Sequence, residues 1–149
     1  MLGSLARKLR IYGFDTIYDT KLNDRELIKI AESQNRTLLT SDRDLFARAT
    51  NRNISTVLIT GNSDTERLAS IFGSLKITVN LDAENSRCPL CNGLLEETLK
   101  SSLTSIPTEI LKRRQKFYVC KNCGKVYWQG GHWSRIKSMA AIIGKIVQT

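Results

Sequence analysis

The sequence predicts an α/β fold in two parts: a parallel sheet with helices on both faces, followed by a small second module. Through about residue 80, short apolar segments rich in β-branched residues alternate with amphipathic segments of helical period. Beyond this point, two Cys-x-x-Cys pairs lie in a more basic segment. The composition changes across residues 80–87, so we predict an α/β domain over 1–84 and a second module over 85–149.

The first predicted element is a basic amphipathic helix at the start of the chain. Leu2, Leu5 and Leu9 recur at helical spacing, and Gly13 is placed to end the helix. Three cations lie on its other faces: Arg7, Lys8 and Arg10.

Four short strands and three further helices follow. The strands are predicted at residues 16–18, 36–40, 54–60 and 76–80, the last as an edge strand. The helices between them have N-cap residues with an acidic side chain three positions on, at Asn23, Ser41 and Ser63. Because strand–helix–strand units join parallel strands, we expect the sheet to be covered on both faces, with its ligand site at the carboxyl ends of the strands.

The charge of the chain is strongly positive and unevenly distributed. The net charge is +9, with 12 lysines and arginines against 9 acidic residues in 1–80, and 11 against 5 in 81–149. A basic surface attracts polyanions, above all nucleic acid, through phosphate neutralisation and counterion release. A solvated basic surface with no polyanionic partner is the alternative.

The chain carries no sequence signal for a membrane or for export. No apolar run approaches the ~20 residues of a membrane span, and no signal-peptide pattern is present. We therefore expect a cytoplasmic protein with no membrane partner.

The four cysteines have the spacing of a structural zinc site. They form the pairs Cys88–Cys91 and Cys120–Cys123, and two such knuckles supply the tetrahedral thiolate set that zinc prefers. Disulfides suit secreted chains, and a redox Cys-x-x-Cys needs no partner pair. A closed four-thiolate site has no open position for substrate, so we assign it to folding, because a segment this small buries little core without a metal.

Cations and aromatic side chains alternate around the second cysteine pair, a pattern that suits RNA because cations meet phosphates and rings stack on unpaired bases. Phe117, Tyr118 and Trp128 have an alternative role, which is to pack the small core of the second module. The predicted nucleic-acid contacts, including those of the first helix, are Arg7, Lys8, Arg10, Lys112, Arg113, Arg114, Lys116, Lys121 and Lys125.

Aspartates cluster at predicted strand and helix ends, at Asp24, Asp42 and Asp44. Carboxylates that meet at the carboxyl edge of a parallel sheet can hold Mg²⁺ or Mn²⁺, which activate water for phosphodiester cleavage. Helix capping is the alternative: Asp24 lies in a first turn, and Asp44 is the third residue after Ser41. Asp42 directly follows the strand and its predicted cap, so capping explains it least well.

Several motifs together resemble the PIN-like RNase domain family named after the C-terminal part of the Mut-seven exonuclease. They occur in the family's order from Met1 to about Trp133: MLGSLARKLRIYGFDT, NDREL, LLTSDRDL, CPLC and CKNCGKVYWQGGHW. The resemblance implies a parallel α/β sheet with a metal-binding carboxylate cluster, then a zinc ribbon, acting on RNA. By position, Asp24, Asp42 and Asp44 match the family's acidic residues, and the four cysteines match its zinc ligands.

The sequence departs from the family pattern at its start. In the family, a hydrophobic strand in the middle of the sheet ends in a metal-binding aspartate and precedes the segment that resembles MLGSLAR. One hypothesis is that Met1 is an internal methionine of a longer product. The other is that the sheet lacks this strand and this carboxylate, which would weaken Mg²⁺ binding.

Charge and resemblance together predict an RNA-binding protein of PIN-like RNase fold with structural zinc. One hypothesis adds divalent-metal-dependent ribonuclease activity at Asp24, Asp42 and Asp44. The alternative is a catalytically silent RNA-binding component of a ribonucleoprotein such as the ribosome.

Overall fold

The structure, a computed structural model, describes residues 2–148, and it groups the first helix of the chain with the cysteine segment. The four-cysteine unit comprises Met1–Ile17 and Asn80–Ala141. The parallel-sheet unit comprises Tyr18–Val79 and Ile142–Thr149. Both units are therefore discontinuous in sequence, and the domain boundary predicted at residues 84 and 85 stays a prediction.

The parallel-sheet unit is built on two paired strands. Its elements in chain order are α2 (Asp24–Ser33), β1 (Leu38–Thr40), α3 (Arg43–Asn51), β2 (Thr56–Leu58) and α4 (Asp64–Leu75). Strand β1 pairs in parallel with β2, with Leu39 opposite Val57. Helix α2 contacts β1, α3 contacts both strands, and α4 contacts β2. The predicted parallel α/β arrangement is confirmed for these elements, at the small size of two strands.

An apolar core lies between these helices and strands. It contains Ile28, Ala31, Leu38, Leu45, Ala49 and Ile54, with Leu27 packed against it. Burying one such leucine or isoleucine side chain contributes about 1.5–3 kcal/mol.

Two predicted strands do not form. Residues 16–18 are irregular because side chains take the backbone groups that a strand would pair: Asn92 Oδ1 accepts from the Thr16 N–H, and Arg10 Nε donates to the Thr16 carbonyl. Residues 76–80 are also irregular, because Lys76 turns the chain with a φ of 55° at the end of α4. The predictions of strands at 16–18 and 76–80 were therefore wrong.

The first four helices of the chain, α1 (Leu2–Ile11) and α2 to α4, end in the same way. A residue with positive φ follows each helix, and the next N–H bonds back to a carbonyl of the last turn, which is the Schellman arrangement. The positive-φ residues are Gly13, Asn35, Asn53 and Lys76. Gly13 ends α1 as predicted, and asparagine replaces glycine after α2 and α3.

The four-cysteine unit contains a three-stranded antiparallel sheet. Its strands are β3 (Leu95–Thr98), β4 (Phe117–Cys120) and β5 (Val126–Trp128), with β4 in the centre. A short 3₁₀ turn (Lys100–Ser102) and α5 (Thr108–Arg113) occupy the connection from β3 to β4. Helix α6 (Gly131–Gln148) belongs to this unit as far as Ala141. Among residues 2–148, no helix combines the length and the apolar character needed to cross a membrane.

Candidate metal centre and nucleic-acid interface

The sulfur atoms of the four cysteines converge on one point. The Sγ atoms of Cys88, Cys91, Cys120 and Cys123 all lie within 4.8 Å of one another. Cys88 and Cys123 are 3.7 Å apart, and Cys91 and Cys120 are 3.4 Å apart. Zinc with tetrahedral bonds of about 2.3 Å separates its thiolate ligands by about 3.8 Å, so this set fits the ion.

Both cysteine knuckles have the same backbone hydrogen bonds. In the first, Asn92 N donates to the Cys88 carbonyl and Cys88 N donates to the Gly93 carbonyl, both at 2.8 Å. In the second, Gly124 N donates to the Cys120 carbonyl at 3.0 Å and Cys120 N donates to the Lys125 carbonyl at 2.9 Å. Asn92 and Gly124 have positive φ at the turn of each knuckle. The Cys-x-x-Cys spacing therefore specifies a closed turn as well as a pair of ligands.

Neighbouring groups affect the four sulfur atoms unequally. Hydrogen bonds from the Asn122 side chain and from the Gly93 backbone lower the pKa of Cys91 to about 6. At Cys123 the Lys125 backbone acts in the same direction, but burial and the other three cysteines outweigh it and raise the pKa to about 11. The backbone N–H groups of Asn122 and Cys123 both approach Cys120 Sγ at 3.4 Å. Thiolate is the form that binds zinc, so these donors suit a metal ligand set.

The backbone at Gly93 passes close to two of the sulfur atoms. A Cβ at this position would lie 2.7 Å from Cys120 Sγ and 3.2 Å from Cys91 Sγ. Any side chain at residue 93 would therefore displace a ligand.

Arg10 connects α1 to the first cysteine knuckle. Its guanidinium donates to the carbonyls of Thr16 at 2.9 Å, Pro89 at 2.8 Å and Leu90 at 3.4 Å. The residue is 8% exposed. Asn92 adds to this connection by donating to Asp15 at 2.7 Å and accepting from Thr16 N at 3.0 Å. The prediction of Arg10 as a surface RNA contact therefore needs correction, because its charge is committed to three backbone carbonyls.

The other predicted nucleic-acid contacts differ in their partners. Lys121 lies 3.9 Å from Glu96, Lys125 lies 5.7 Å from the centre of the Tyr127 ring, and Lys8 donates to Ser4 at 2.8 Å. The remaining five are exposed, and within residues 2–148 no carboxylate oxygen comes within 4.0 Å of their nitrogens. These five, called here the unpaired cations, are Arg7, Lys112, Arg113, Arg114 and Lys116.

The aromatic residues of β4 and β5 serve the small core. Phe117 and Tyr118 are 0% and 4% exposed. Trp128 pairs with Phe117 across the sheet, with ring centroids 6.1 Å apart. These three residues therefore pack in the small core, which is the alternative role that the sequence offered for them.

The three predicted catalytic aspartates have protein partners in the parallel-sheet unit. Arg48 of α3 binds Asp24 at 2.7 Å and Asp44 at 3.1 Å, so one guanidinium joins two of the carboxylates. Asp42 is the N-cap of α3, and its Oδ1 accepts from the backbone N–H groups of Asp44 and Leu45. The prediction of Ser41 as this cap was wrong by one residue.

These carboxylates do not surround a common point as the cysteines do. Among residues 2–148, the four cysteines form a group in which all ligand atoms lie within 4.8 Å of one another. The three aspartates form no such group, either with one another or with other His, Cys, Asp or Glu side chains of this range. As arranged, Asp24, Asp42 and Asp44 do not fit Mg²⁺ or Mn²⁺, because their oxygens do not converge on one point. Mg²⁺ in particular demands near-ideal octahedral geometry.

The sequence reasoning missed the roles of Arg48 and Arg10, although signals for both were available. Arg48 follows Asp44 by four residues on one helix, which is the spacing of an ion pair. Arg10 follows the buried Ala6 by four residues and therefore shares its face of α1.

Comparison with known proteins gives one match. The family model described as "Mut7-C RNAse domain" matches residues 1–140. Neither the curated proteins nor the solved structures contain a significant match. Since the family model covers most of the chain, including the aspartates and all four cysteines, the protein belongs to the Mut7-C RNAse domain family.

Proposed function

We propose that this protein binds RNA through its four-cysteine unit. The observation that carries the proposal is the set of unpaired cations, four of which lie within five residues at Lys112, Arg113, Arg114 and Lys116. The unit as a whole contains 13 lysines and arginines against 6 acidic residues, whereas the parallel-sheet unit contains 10 against 8. Exposed cations without carboxylate partners repel one another, and a phosphate backbone relieves that repulsion.

The cysteine site has a structural part in this proposal. Zinc held by Cys88, Cys91, Cys120 and Cys123 would fix two knuckles, the second of which carries Lys121 and Lys125 between β4 and β5. Four thiolates leave zinc no open coordination position, so the metal supplies folding free energy and no reaction chemistry.

Ribonuclease activity in a PIN-like fold is the second candidate function, and the family match favours it. Asp24, Asp42 and Asp44 are its candidate catalytic residues, with Mg²⁺ or Mn²⁺ as the cofactor. Arg48 holds two of these carboxylates, and they do not fit a divalent ion as arranged, so we derive no reaction step through one. A catalytically silent, cytoplasmic RNA-binding component of a ribonucleoprotein such as the ribosome is the alternative.

Fluorescence anisotropy with labelled RNA over a series of salt concentrations tests RNA binding. The variant Lys112→Gln/Arg113→Gln/Arg114→Gln should weaken binding, and each lost phosphate contact on a single strand should reduce the slope of log K against log [salt] by about 0.7. The matched control, Lys21→Gln/Arg25→Gln/Lys29→Gln, removes three exposed cations of the parallel-sheet unit and should leave the slope unchanged. Equal losses in both variants would count against a specific RNA surface on the four-cysteine unit.

A cleavage assay with Mn²⁺ or Mg²⁺ tests the second candidate. Asp42→Asn is suited to this test, because asparagine caps a helix as well as aspartate does and only the charge is removed. A ribonuclease should lose its metal-dependent cleavage in Asp42→Asn and keep it in Asp64→Asn, a first-turn aspartate of α4. Cleavage that survives in Asp42→Asn would reject Asp42 as a catalytic residue, and the absence of cleavage from the unaltered protein would argue for the silent RNA-binding protein.

A further inference from the structure

A cleft of about 240 Å³ lies within the four-cysteine unit, and no cysteine lines it. Its walls come from the segment before the first knuckle, from β4 and the residue preceding it, and from the first turns of α6. The lining side chains that matter here are Asp82, Glu84, Lys116, Tyr118, Trp133 and Lys137.

The two lysines of this cleft have no acidic partner, although two carboxylates line it with them. Within residues 2–148, no carboxylate oxygen lies within 4.0 Å of the ammonium group of Lys116 or Lys137. Asp82 directs its oxygens into its own turn, accepting from Glu84 N at 3.0 Å and from Asn85 Nδ2 at 2.8 Å. The cleft therefore presents two cations that the protein leaves unneutralised.

The two tryptophans of the chain differ in their surroundings. Trp128 packs against Phe117 with ring centroids 6.1 Å apart. Trp133 lies in the cleft, is half-buried, and has no aromatic partner among residues 2–148. Within residues 2–148, no other aromatic side chain therefore stacks on the Trp133 ring.

We infer that this cleft receives one unpaired base of a single-stranded RNA, which stacks on Trp133 while its flanking phosphates bind Lys116 and Lys137. The inference rests on the proposed RNA binding and adds where and in what form RNA is held. The volume is below the ~300–1,000 Å³ of pockets for drug-sized ligands, so it suits a group the size of a single base. Stacking on aromatic rings is how proteins hold unpaired bases.

The acidic residues make a base a better occupant than a phosphate group alone. The Glu84 carboxylate is exposed at the cleft and would repel an anion placed inside it. The same carboxylate can accept a hydrogen bond from the exocyclic amino group of a base. Bases of an RNA duplex are paired and stacked inside a deep, narrow groove, so a duplex cannot occupy the cleft.

Trp133 fluorescence reports on this site directly. In Trp128→Phe, Trp133 is the sole tryptophan of the chain. A mixed-sequence single-stranded RNA of about 12 nucleotides should quench it, and the same sequence paired with its complement should quench it much less.

Binding affinity gives an independent readout. Trp133→Ala should weaken binding of the same single strand roughly 5- to 150-fold, with the slope of log K against log [salt] unchanged because no charge is lost. Duplex binding should stay as in the unaltered protein, and Trp133→Phe, which keeps a ring, should recover most of the affinity. Lys137→Gln should instead reduce the salt slope by about 0.7.

The outcomes of these experiments distinguish the base site from RNA binding in general. If the unaltered protein binds RNA with a steep salt dependence but Trp133→Ala binds single strands equally well, the base site is wrong and RNA binding stands. If the unaltered protein binds neither RNA, both fail. Zinc content and circular dichroism check that Trp133→Ala is folded; if it is not, the absence of quenching in Trp128→Phe alone overturns the base site.

Discussion

The two units of the molecule use their charged residues differently. In the parallel-sheet unit, arginines pair with acidic side chains of the same unit, as in Arg48 with Asp24 and Asp44, Arg52 with Glu32, and Arg67 with Asp64. Both units also have exposed cations without such partners, but the four-cysteine unit places four of them within five residues, at Lys112, Arg113, Arg114 and Lys116. Net charge alone did not reveal this difference, because it depends on where the unpaired cations lie.

The units also differ in what holds them together. The parallel-sheet unit has a contiguous apolar core around Leu45 and Ala49, whereas the antiparallel sheet of the other unit is closed by four sulfur atoms. A metal centre adds to apolar burial where a short segment cannot supply enough of it. Zinc removal, a core truncation, the loss of the Arg10 fork, the loss of the α3 cap and the loss of a surface ion pair should then have effects that decrease in this order.

Removing zinc should have the largest effect. Structural zinc sites in zinc-finger peptides contribute about 10–16 kcal/mol, so a strong chelator, or the variant Cys120→Ser, should unfold the antiparallel sheet. Amide hydrogen exchange should then rise steeply across β3, β4 and β5, while β1 and β2 keep their protection. Loss of protection in both strand sets at once would break the contrast between the units.

Removing one core side chain should come next. Leu45 is 3% exposed in the apolar core, and Leu45→Ala should cost about 2–5 kcal/mol through lost burial and the cavity left behind. Leu99, which is 75% exposed in the four-cysteine unit, supplies the control, and Leu99→Ala should change the free energy of unfolding by less than about 0.5 kcal/mol. Urea denaturation followed by hydrogen exchange measures both.

Replacing Arg10 tests the connection between α1 and the first knuckle. Lysine keeps the charge but lacks the planar fork that reaches three carbonyls, so Arg10→Lys should cost about 1.5–3 kcal/mol. It should also speed the transfer of zinc to a chromogenic chelator. Arg7→Lys changes an exposed arginine of the same helix and should behave as the unaltered protein does. Equal zinc transfer rates in the two variants would contradict the role given to Arg10.

Removing the cap of α3 should have a smaller effect. Asp42→Ala leaves the N–H groups of Asp44 and Leu45 without an acceptor and should lower the free energy of unfolding by about 1 kcal/mol. Asp42→Asn should stay within a few tenths of a kcal/mol of the unaltered protein. Thermal denaturation of the two variants side by side distinguishes the cap from a charge effect.

Breaking a surface ion pair should have the smallest effect. Arg52 and Glu32 pair at 2.8 Å, but their side chains are 58% and 37% exposed, so Arg52→Gln should cost only ~0–1 kcal/mol, and less at high salt. A cost of several kcal/mol that salt does not reduce would contradict this prediction. It would mean that ion pairs, and not only the apolar core, stabilise this unit substantially.

Local sequence signals predicted the elements whose causes are local. The capping box of Asn23 with Glu26, the cap at Ser63 and the stop at Gly13 each depend on residues a few positions apart, and each forms as predicted. The cysteine knuckles belong to the same class, because each closes within a few residues. The apolar runs at 36–40 and 54–60 likewise gave the two parallel strands, within a residue or two of their ends.

The remaining features depend on partners far away in the sequence. Residues 16–18 have strand-like composition, but their backbone groups bind Asn92 and Arg10. The base-stacking cleft combines residues from 81 to 137, and no local pattern marks Trp133 as different from Trp128. Asp42 follows a strand, which suggests a catalytic metal ligand, yet the same position is where a helix needs its cap. In that case one local signal had two physical explanations.

The hydrogen bond from Tyr12 to the carbonyl of Ile136 joins residues 124 positions apart, and it sets an order of events during synthesis. At about 5–20 residues per second, a ribosome needs roughly 6–25 s to make the chain between them. Helix α1 leaves the ribosome first but must wait for its partners, whereas the apolar core shared by α2, β1 and α3 lies entirely within residues 27–54. This core can therefore form while the first helix, with its apolar face at Leu5 and Leu9, still awaits the cysteines and α6. A nascent chain stalled before residue 120 should expose that face to chaperones, and one stalled after α6 should not.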